Sequence, residues 1–288
     1  MIFMDEEDFV AERWWQNLET ERIQVLYTSP TALRLLRRMR DPARTPPHLG
    51  HLRTVFSVGE PLAAVEARWA AEALGIPVRD TWWQTETGCI VVATAHDAEV
   101  HAGFVGRAVE GFDVACLNRT DQSLAPAPVG EVGELAVREG WPSMFRAYLG
   151  DAELYRSRFR EGWYLSGDLA SLDDTGRVAF VGRRGDMFKS AGHLVSPAEV
   201  EEVLLEHPDV VDAGVCGRDH EVAGTLVEGH VVLASGIEPN EDLRASILRF
   251  ARDRLGPALA PRALYFRSHL PRTDSGKIVR RSLASIPQ

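Results

Sequence analysis

The sequence predicts an α/β protein in three pieces: an α/β subdomain over residues 1–102, a small β-rich subdomain over 103–184, and a compact α+β unit over 185–288. Three observations carry this reading. Helical and strand-like segments alternate through the first hundred residues. Short Val-rich strands divided by Gly, Pro and Asp turns fill the middle. After Gly182-Arg183-Arg184-Gly185-Asp186 the character changes again to mixed helices and strands.

In order, residues 9–21 form a helix marked by Phe9, Trp14 and Leu18, and 23–27 a short strand. A helix over 30–39 follows, where Pro30 suits the first turn. Residues 41–48 are a proline-rich surface crossing. An apolar strand, 54–58, ends in Gly59-Glu60-Pro61 and leads to an alanine-rich helix, 62–74, and a strand, 76–79. Strands at 113–117 and 133–137 belong to a mostly antiparallel sheet or a small barrel. Ser196-Pro197-Ala198-Glu199 is a capping box with proline at the first helical position, starting a helix to about residue 207. Strands at 210–215 and 229–233, a helix over about 240–255 and a strand at 263–266 complete the unit.

Lys plus Arg number 32 against 42 Asp plus Glu, a net charge of −10, which argues against a nonspecific grip on nucleic acid but leaves room for a local phosphate site. Cys89, Cys116 and Cys216 stand far apart, forming neither a redox pair nor a zinc knuckle, and suit a reducing compartment. No apolar run nears the roughly 20 residues of a membrane helix. Residues 1–8 are acidic where a secretory leader is basic. A cytoplasmic protein with neither nucleic-acid nor membrane partners is expected.

Asp80-Thr81-Trp82-Trp83-Gln84-Thr85-Glu86-Thr87-Gly88 follows a strand, so a loop on a rigid base presents its polar groups. Threonine hydroxyls and glutamine can bind phosphate or carboxylate oxygens, Glu86 can bind Mg²⁺, and the two adjacent tryptophans can wall a small apolar pocket. A Trp-anchored loop packed on the core is the alternative. Gly59 permits close approach of backbone to a flat ligand. Asp168, after Tyr164-Leu165-Ser166-Gly167, is either an acceptor for a vicinal diol or an ordinary turn aspartate. Arg183 and Lys189 either reach an anionic ligand or sit on a solvated surface, and Gly185 between them loosens the junction. Residues 271–283 hold four basic residues less one acid, +3 in a chain of −10, and present Lys277 from a turn-rich loop. A Walker-type phosphate loop, a nucleophile elbow and a His-Glu-x-x-His helix are all absent from the sequence.

Val58-Gly59-Glu60-Pro61, Asp80 to Gly88, Tyr164 to Asp168, Gly182 to Asp186 and Pro271 to Lys277 resemble, in order and spacing, the later motifs of the adenylate-forming superfamily of acyl-CoA synthetases, luciferases and peptide-synthetase adenylation domains. The Asp80–Gly88 string and Gly140-Trp141-Pro142-Ser143-Met144-Phe145-Arg146 look like the acetyl-CoA synthetase branch. The resemblance implies acetate activation with ATP to acetyl-AMP and transfer to coenzyme A, with a C-terminal domain that rotates between the steps. Propionate as the acid, or an inactive nucleotide- or partner-binding remnant, are the alternatives.

By resemblance, Gly59, Glu60 and Pro61 line the adenine site with Asp80 beside it, and Gln84 and Thr85 hold the α-phosphate region. Glu86 is the Mg²⁺ residue, Asp168 and Arg183 bind ribose hydroxyls, Trp83 floors the acyl pocket, and Lys277 bridges acyl and phosphoryl oxygens. Three positions depart from the family pattern. Gly185 replaces an acidic or lysine hinge residue, Leu194 stands where many acetyl-CoA synthetases have an ATP-contacting arginine, and Cys89 replaces a frequent glycine. The resemblance covers the later part of a longer enzyme. The expectation is therefore a fragment with an incomplete large domain, without the loop that cradles β- and γ-phosphates, and an upstream polypeptide that completes it.

Overall fold

The computed structural model of the chain describes residues 10–38, 49–96, 98–120, 123–190, 192–220, 224–273 and 278–285. Within them it is an α/β protein with several sheets, divided into two units, Met1–Phe180 and Val181–Gln288. Phe9, Met39, the crossing at 41–48 and Lys277 lie outside the described residues.

In the first unit α1 (Ala11–Thr20), β1 (Val25–Thr28), α2 (Pro30–Arg38), β2 (Thr54–Ser57), α3 (Ala64–Leu74) and β3 (Val78–Trp82) alternate. The three strands pair in parallel, with Thr28 opposite Ser57 and Ser57 opposite Asp80. Pro30 opens α2 as predicted, and Gly75, at φ 72°, closes α3 in the left-handed conformation that favours glycine. Leu33, Val55, Ala70, Leu74 and Val78 make the core between helices and sheet. Two short strands, β4 (Val92–Ala93) and β5 (Arg107–Ala108), extend the sheet to five in the order β1-β2-β3-β4-β5, joined antiparallel.

A six-stranded sheet follows: β6 (Val114–Arg119), β7 (Leu124–Pro126), β8 (Gly133–Arg138), β9 (Phe159–Arg160), β10 (Trp163–Leu172) and β11 (Val178–Arg183), with the short α4 (Ala152–Ser157) before β9. The order is β11-β10-β8-β6-β7, with β9 also on β10. Trp82 and Val92 from the first sheet share one buried cluster with Leu135, Val137 and Tyr164 from the second and with Val91 and Trp141 from the adjoining loops, so the two sheets have a common core.

The second unit opens with a hairpin, β12 (Phe188–Ser190) and β13 (His193–Val195). Ser196 caps α5 (Pro197–Leu205), its side chain accepting from Glu199 N, with Pro197 at the predicted first position. β14 (Val210–His220) pairs antiparallel with β15 (Gly224–Leu233), which pairs parallel with β16 (Ala263–Phe266). Asn240 caps α6 (Glu241–Leu259) through a 2.8 Å bond from Leu243 N. The backbone leaves helical geometry at Gly256, φ 73° and ψ 170°, ahead of Pro257, so the first helical stretch ends at the predicted 255 and a short second one runs on to Leu259. α7 (Arg280–Ser285) buries Leu283. Among the described residues no helix is long and apolar enough to cross a membrane.

Candidate active site

The loop after β3 and the middle of β10, far apart in sequence, converge on Asp168. Trp82 Nε1 donates to Asp168 Oδ2 at 2.8 Å, and Gln84 Nε2 donates to the same oxygen at 2.9 Å. Gln84 Nε2 also reaches Ser166 O at 3.1 Å, and Gln84 Oε1 accepts from Tyr164 Oη at 2.7 Å. Both ends of the carboxamide are thus engaged with the protein. The ring and hydroxyl of Tyr164 are buried, and burial pushes its phenol well above the ordinary tyrosine range.

Asp168 is not a turn residue. It lies buried in β10 at an irregularity between Leu165 and Leu169, where Gly167 takes φ 77°. Ser166 Oγ donates to Leu135 O and accepts from Asp168 N, and Gly167 N donates to Glu134 Oε1. These bonds replace the ladder bonds that the bulge interrupts and fix the aspartate's direction.

The expectation that adjacent tryptophans wall one pocket is corrected. Successive side chains along a strand point to opposite faces, so at the end of β3 Trp82 enters the core while Trp83 stays 38% exposed. Trp83 Nε1 donates to Tyr27 Oη at 2.8 Å. The sequence marked Trp82 only as a pocket wall beside Trp83, not as a partner of Asp168, and nothing in it marked Tyr27.

Asp80 lies in the middle of β3 opposite Ser57, accepting from Ser57 Oγ, from Thr81 N at 3.0 Å and from Leu62 N. Burial nevertheless dominates and pushes its carboxyl up to about 6. Gly59, at φ 93°, has open space over its α-carbon. Glu60 turns its carboxylate to α2, accepting from Thr31 N at 3.0 Å and from Thr31 Oγ1, and so caps that helix. Pro61 is exposed.

Glu86 is half-buried and accepts from Tyr148 Oη at 2.7 Å, while its carbonyl accepts from Phe145 N at 3.0 Å. Burial and the Glu86 carboxylate together push Tyr148 up to about 12. Trp141 Nε1 and Ser143 Oγ both donate to Thr87 O, binding the 140–146 segment to the 84–89 loop. Phe145 packs edge-on against Tyr148, Tyr155 and Tyr164. Thr85 is exposed on this loop, and the exposed Cys89 thiol lies 3.1 Å from Ser143 Oγ. Ser143 gives its proton to Thr87 O, so Cys89 donates.

A single carboxylate on a half-buried loop fits Mg²⁺ completed by water and substrate phosphates rather than an all-protein cage. Among the described residues one group of three potential metal ligands clusters elsewhere, Cys216, Glu228 and His230. There Arg267 Nε donates to His230 Nδ1, which leaves the proton on Nε2, the nitrogen 3.7 Å from Cys216 Sγ. Arg218 holds Glu228 at 2.7 Å. Protons and guanidinium groups thus fill the positions a metal would need.

Arg183 belongs to the second unit, where it is exposed and its carbonyl accepts from Asp186 N and Met187 N. Gly185 has open space where a β-carbon would stand, and Leu194 on β13 is 54% exposed.

A largely parallel sheet edge whose loops meet a β-bulge aspartate, in a chain with a separate α+β unit, defines an α/β protein of the kind that carries ligand sites at strand ends. The chain belongs to the AMP-binding enzyme family: residues 1–149 match the family's AMP-binding enzyme model and residues 199–277 its AMP-binding enzyme C-terminal domain. It is 37% identical to the acetyl-coenzyme A synthetase of Bacillus subtilis over 96% of this chain and 48% of that protein. It is 36% identical to that of Streptomyces coelicolor, over 96% and 43%. Among solved structures, the anthranilate CoA ligase AuaEII in complex with anthranoyl-AMP superposes with a TM-score of 0.87 at 27% identity, over 96% of this chain and 52% of that one. A benzoate CoA ligase from Burkholderia xenovorans gives 0.84 at 30%, over 96% and 54%. The chain spans about half the length of the relatives it matches.

Proposed function

We propose that the chain is part of an acetate–CoA ligase that forms acetyl-AMP from acetate and ATP and transfers the acetyl group to coenzyme A. The observation that carries this reading is the convergence of Trp82 and Gln84 on Asp168, which presents a buried, oriented carboxylate next to the loop bearing Thr85 and Glu86. The similarity to acetyl-coenzyme A synthetases supports it.

In this reading the open backbone at Gly59 and Pro61 takes the adenine ring, with Asp80 beside it, and Glu60 serves by holding that turn against α2. Asp168 and Arg183 accept and donate to the ribose hydroxyls. Thr85 donates to α-phosphate oxygens, and Gln84 acts by orienting Asp168. Glu86 holds Mg²⁺, which supplies positive charge against the phosphate oxygens. The acetate oxygen attacks the α-phosphorus, the bond to the bridging oxygen breaks, and pyrophosphate leaves. Lys277 offsets charge on the acyl and phosphoryl oxygens in that transition state. The thiolate of coenzyme A then attacks the acyl carbonyl and AMP leaves. The exposed Trp83 indole bounds the acyl pocket and favours acetate over propionate.

Among the described residues β1 pairs with β2 alone and exposes Val25 and Tyr27, an open edge of the kind that accepts another strand. We infer that the polypeptide completing the large domain pairs there. The test is acetate-dependent ATP–pyrophosphate exchange, alone and with that polypeptide. Exchange that disappears in Lys277→Ala supports the reading, and a folded sample with none under either condition rejects it.

A further inference from the structure

Trp83 is held by a hydrogen-bond relay whose direction is fully determined. Its Nε1 donates to Tyr27 Oη at 2.8 Å. Thr81 Oγ1 has one proton and gives it to Ser57 O at 2.7 Å. At the 3.1 Å contact between Tyr27 Oη and Thr81 Oγ1 the tyrosine is therefore the donor. The relay runs from Trp83 through Tyr27 and Thr81 to the end of β2.

Its foot is buried and its head is partly exposed. Thr81 and Ser57 are 5% and 0% exposed, whereas Tyr27 and Trp83 are 44% and 38% exposed. The tyrosine ring is braced edge-on against Phe56, its partner in the β1–β2 register, with centroids 6.3 Å apart. An indole so exposed has several rotamers within reach, and a fixed acceptor for its single N–H selects one of them. β1 thus places a hydroxyl where the tip of Trp83 can be held, using a residue that is distant in sequence and outside the 80–88 motif.

We propose that Tyr27 is a positioning residue that sets acyl-chain length selectivity by holding the Trp83 indole in one orientation; this rests on the reading of Trp83 as a wall of the acyl pocket. A pocket rejects an added methylene only as firmly as its wall resists moving. A fixed wall discriminates by roughly 10–200-fold per methylene, and a wall free to rotate yields the volume instead.

The test uses the full chain carrying 5-fluorotryptophan, with Trp83→Phe assigning the Trp83 resonance, together with binding of acetyl- and butyryl-sulfamoyl adenosine, stable mimics of the acyl-adenylate. Tyr27→Phe keeps the ring on Phe56 and removes only the hydroxyl. It is expected to shift and broaden the Trp83 resonance, leave those of buried Trp82 and Trp141 in place, and lower the acetyl-over-butyryl selectivity in Kd by about 10-fold. An unmoved Trp83 resonance overturns the relay. A moved resonance with an unchanged ratio overturns the selectivity role. Failure of both mimics to bind the unaltered chain rejects the pocket reading and the selectivity role with it, while the fluorine spectrum still decides whether Tyr27 positions Trp83.

Discussion

Gln84 and Asp168 form a partly buried donor–acceptor pair, 2.9 Å from Nε2 to Oδ2, and the opposite end of the same carboxamide accepts from Tyr164. A glutamate at 84 cannot donate to Asp168 while ionised and places a second carboxylate against it. Gln84→Glu is expected to lose about 3 kcal/mol or more at pH 7. It should recover part of that on acidification, when one carboxyl takes up a proton and the shared geometry returns. Urea unfolding at pH 7 and pH 5 measures both numbers; equal losses at the two pH values would contradict the pairing.

Gly88 keeps the 84–89 loop against the 140–146 segment. Its φ is 68°, and an added β-carbon would lie 2.6 Å from the carbonyl oxygen of Ser143. Gly88→Ala therefore meets both backbone strain and a clash, and about 2–4 kcal/mol of destabilisation is expected. Because Phe145 N bonds to Glu86 O across the same junction, AMP–Mg²⁺ binding should weaken further than Mg²⁺-free AMP binding. Calorimetry with and without Mg²⁺ separates the two.

Asp80 gives a pH dependence with a definite sign. Its folded-state pKa, about 6, lies above its ordinary 3.8. Between those values the folded chain keeps a proton that the unfolded chain has lost, so this group's contribution falls as pH rises through the window and is fully present below it. Asp80→Asn removes that slope. The unfolding free energy of the unaltered chain relative to the variant should drop by about 2–3 kcal/mol from pH 4 to pH 7. A difference that stays flat, measured by denaturant titration at each pH, would contradict the assignment.

Much of the architecture was legible because local signals agreed with tertiary packing. Pro30, the Ser196 capping box and the alanine-rich helix before Gly75 each stand where backbone chemistry alone places a helix end. The motif residues Asp80, Gln84, Glu86 and Asp168 could be picked out because the strings that hold them resemble the motifs of the family. Their use could not. Whether Gln84 faces a ligand or Tyr164, and whether Glu60 faces a ligand or the start of α2, depends on partners 80 and 29 residues away in sequence. The bulge at Gly167 was hidden for the same reason: it arises from register against β8, not from composition. Tyr27 reads as an ordinary strand tyrosine until β3 brings Thr81 and Trp83 to it.

In the second unit Arg280 fastens the start of α7. Its Nη2 lies 3.1 and 2.8 Å from the two oxygens of Glu201 and its Nη1 3.0 Å from Asp186 Oδ2, while Val215 N donates to the same Glu201 at 2.8 Å. The guanidinium fork thus joins α5, the β11–β12 turn and α7, and the glutamate passes the constraint to β14. Removing it takes the paired charge from a carboxylate that is only 9% exposed. Arg280→Ala should cost about 2–4 kcal/mol in urea unfolding. Arg280→Lys should recover less than half, since an ammonium cannot span both Glu201 oxygens and Asp186 in one plane. Lys277 is separated from the start of α7 only by Ile278 and Val279, so acetate-dependent pyrophosphate exchange should fall in Arg280→Ala under conditions where the unit remains folded. Full exchange in that variant would mean that Lys277 is positioned without help from the α7 anchor.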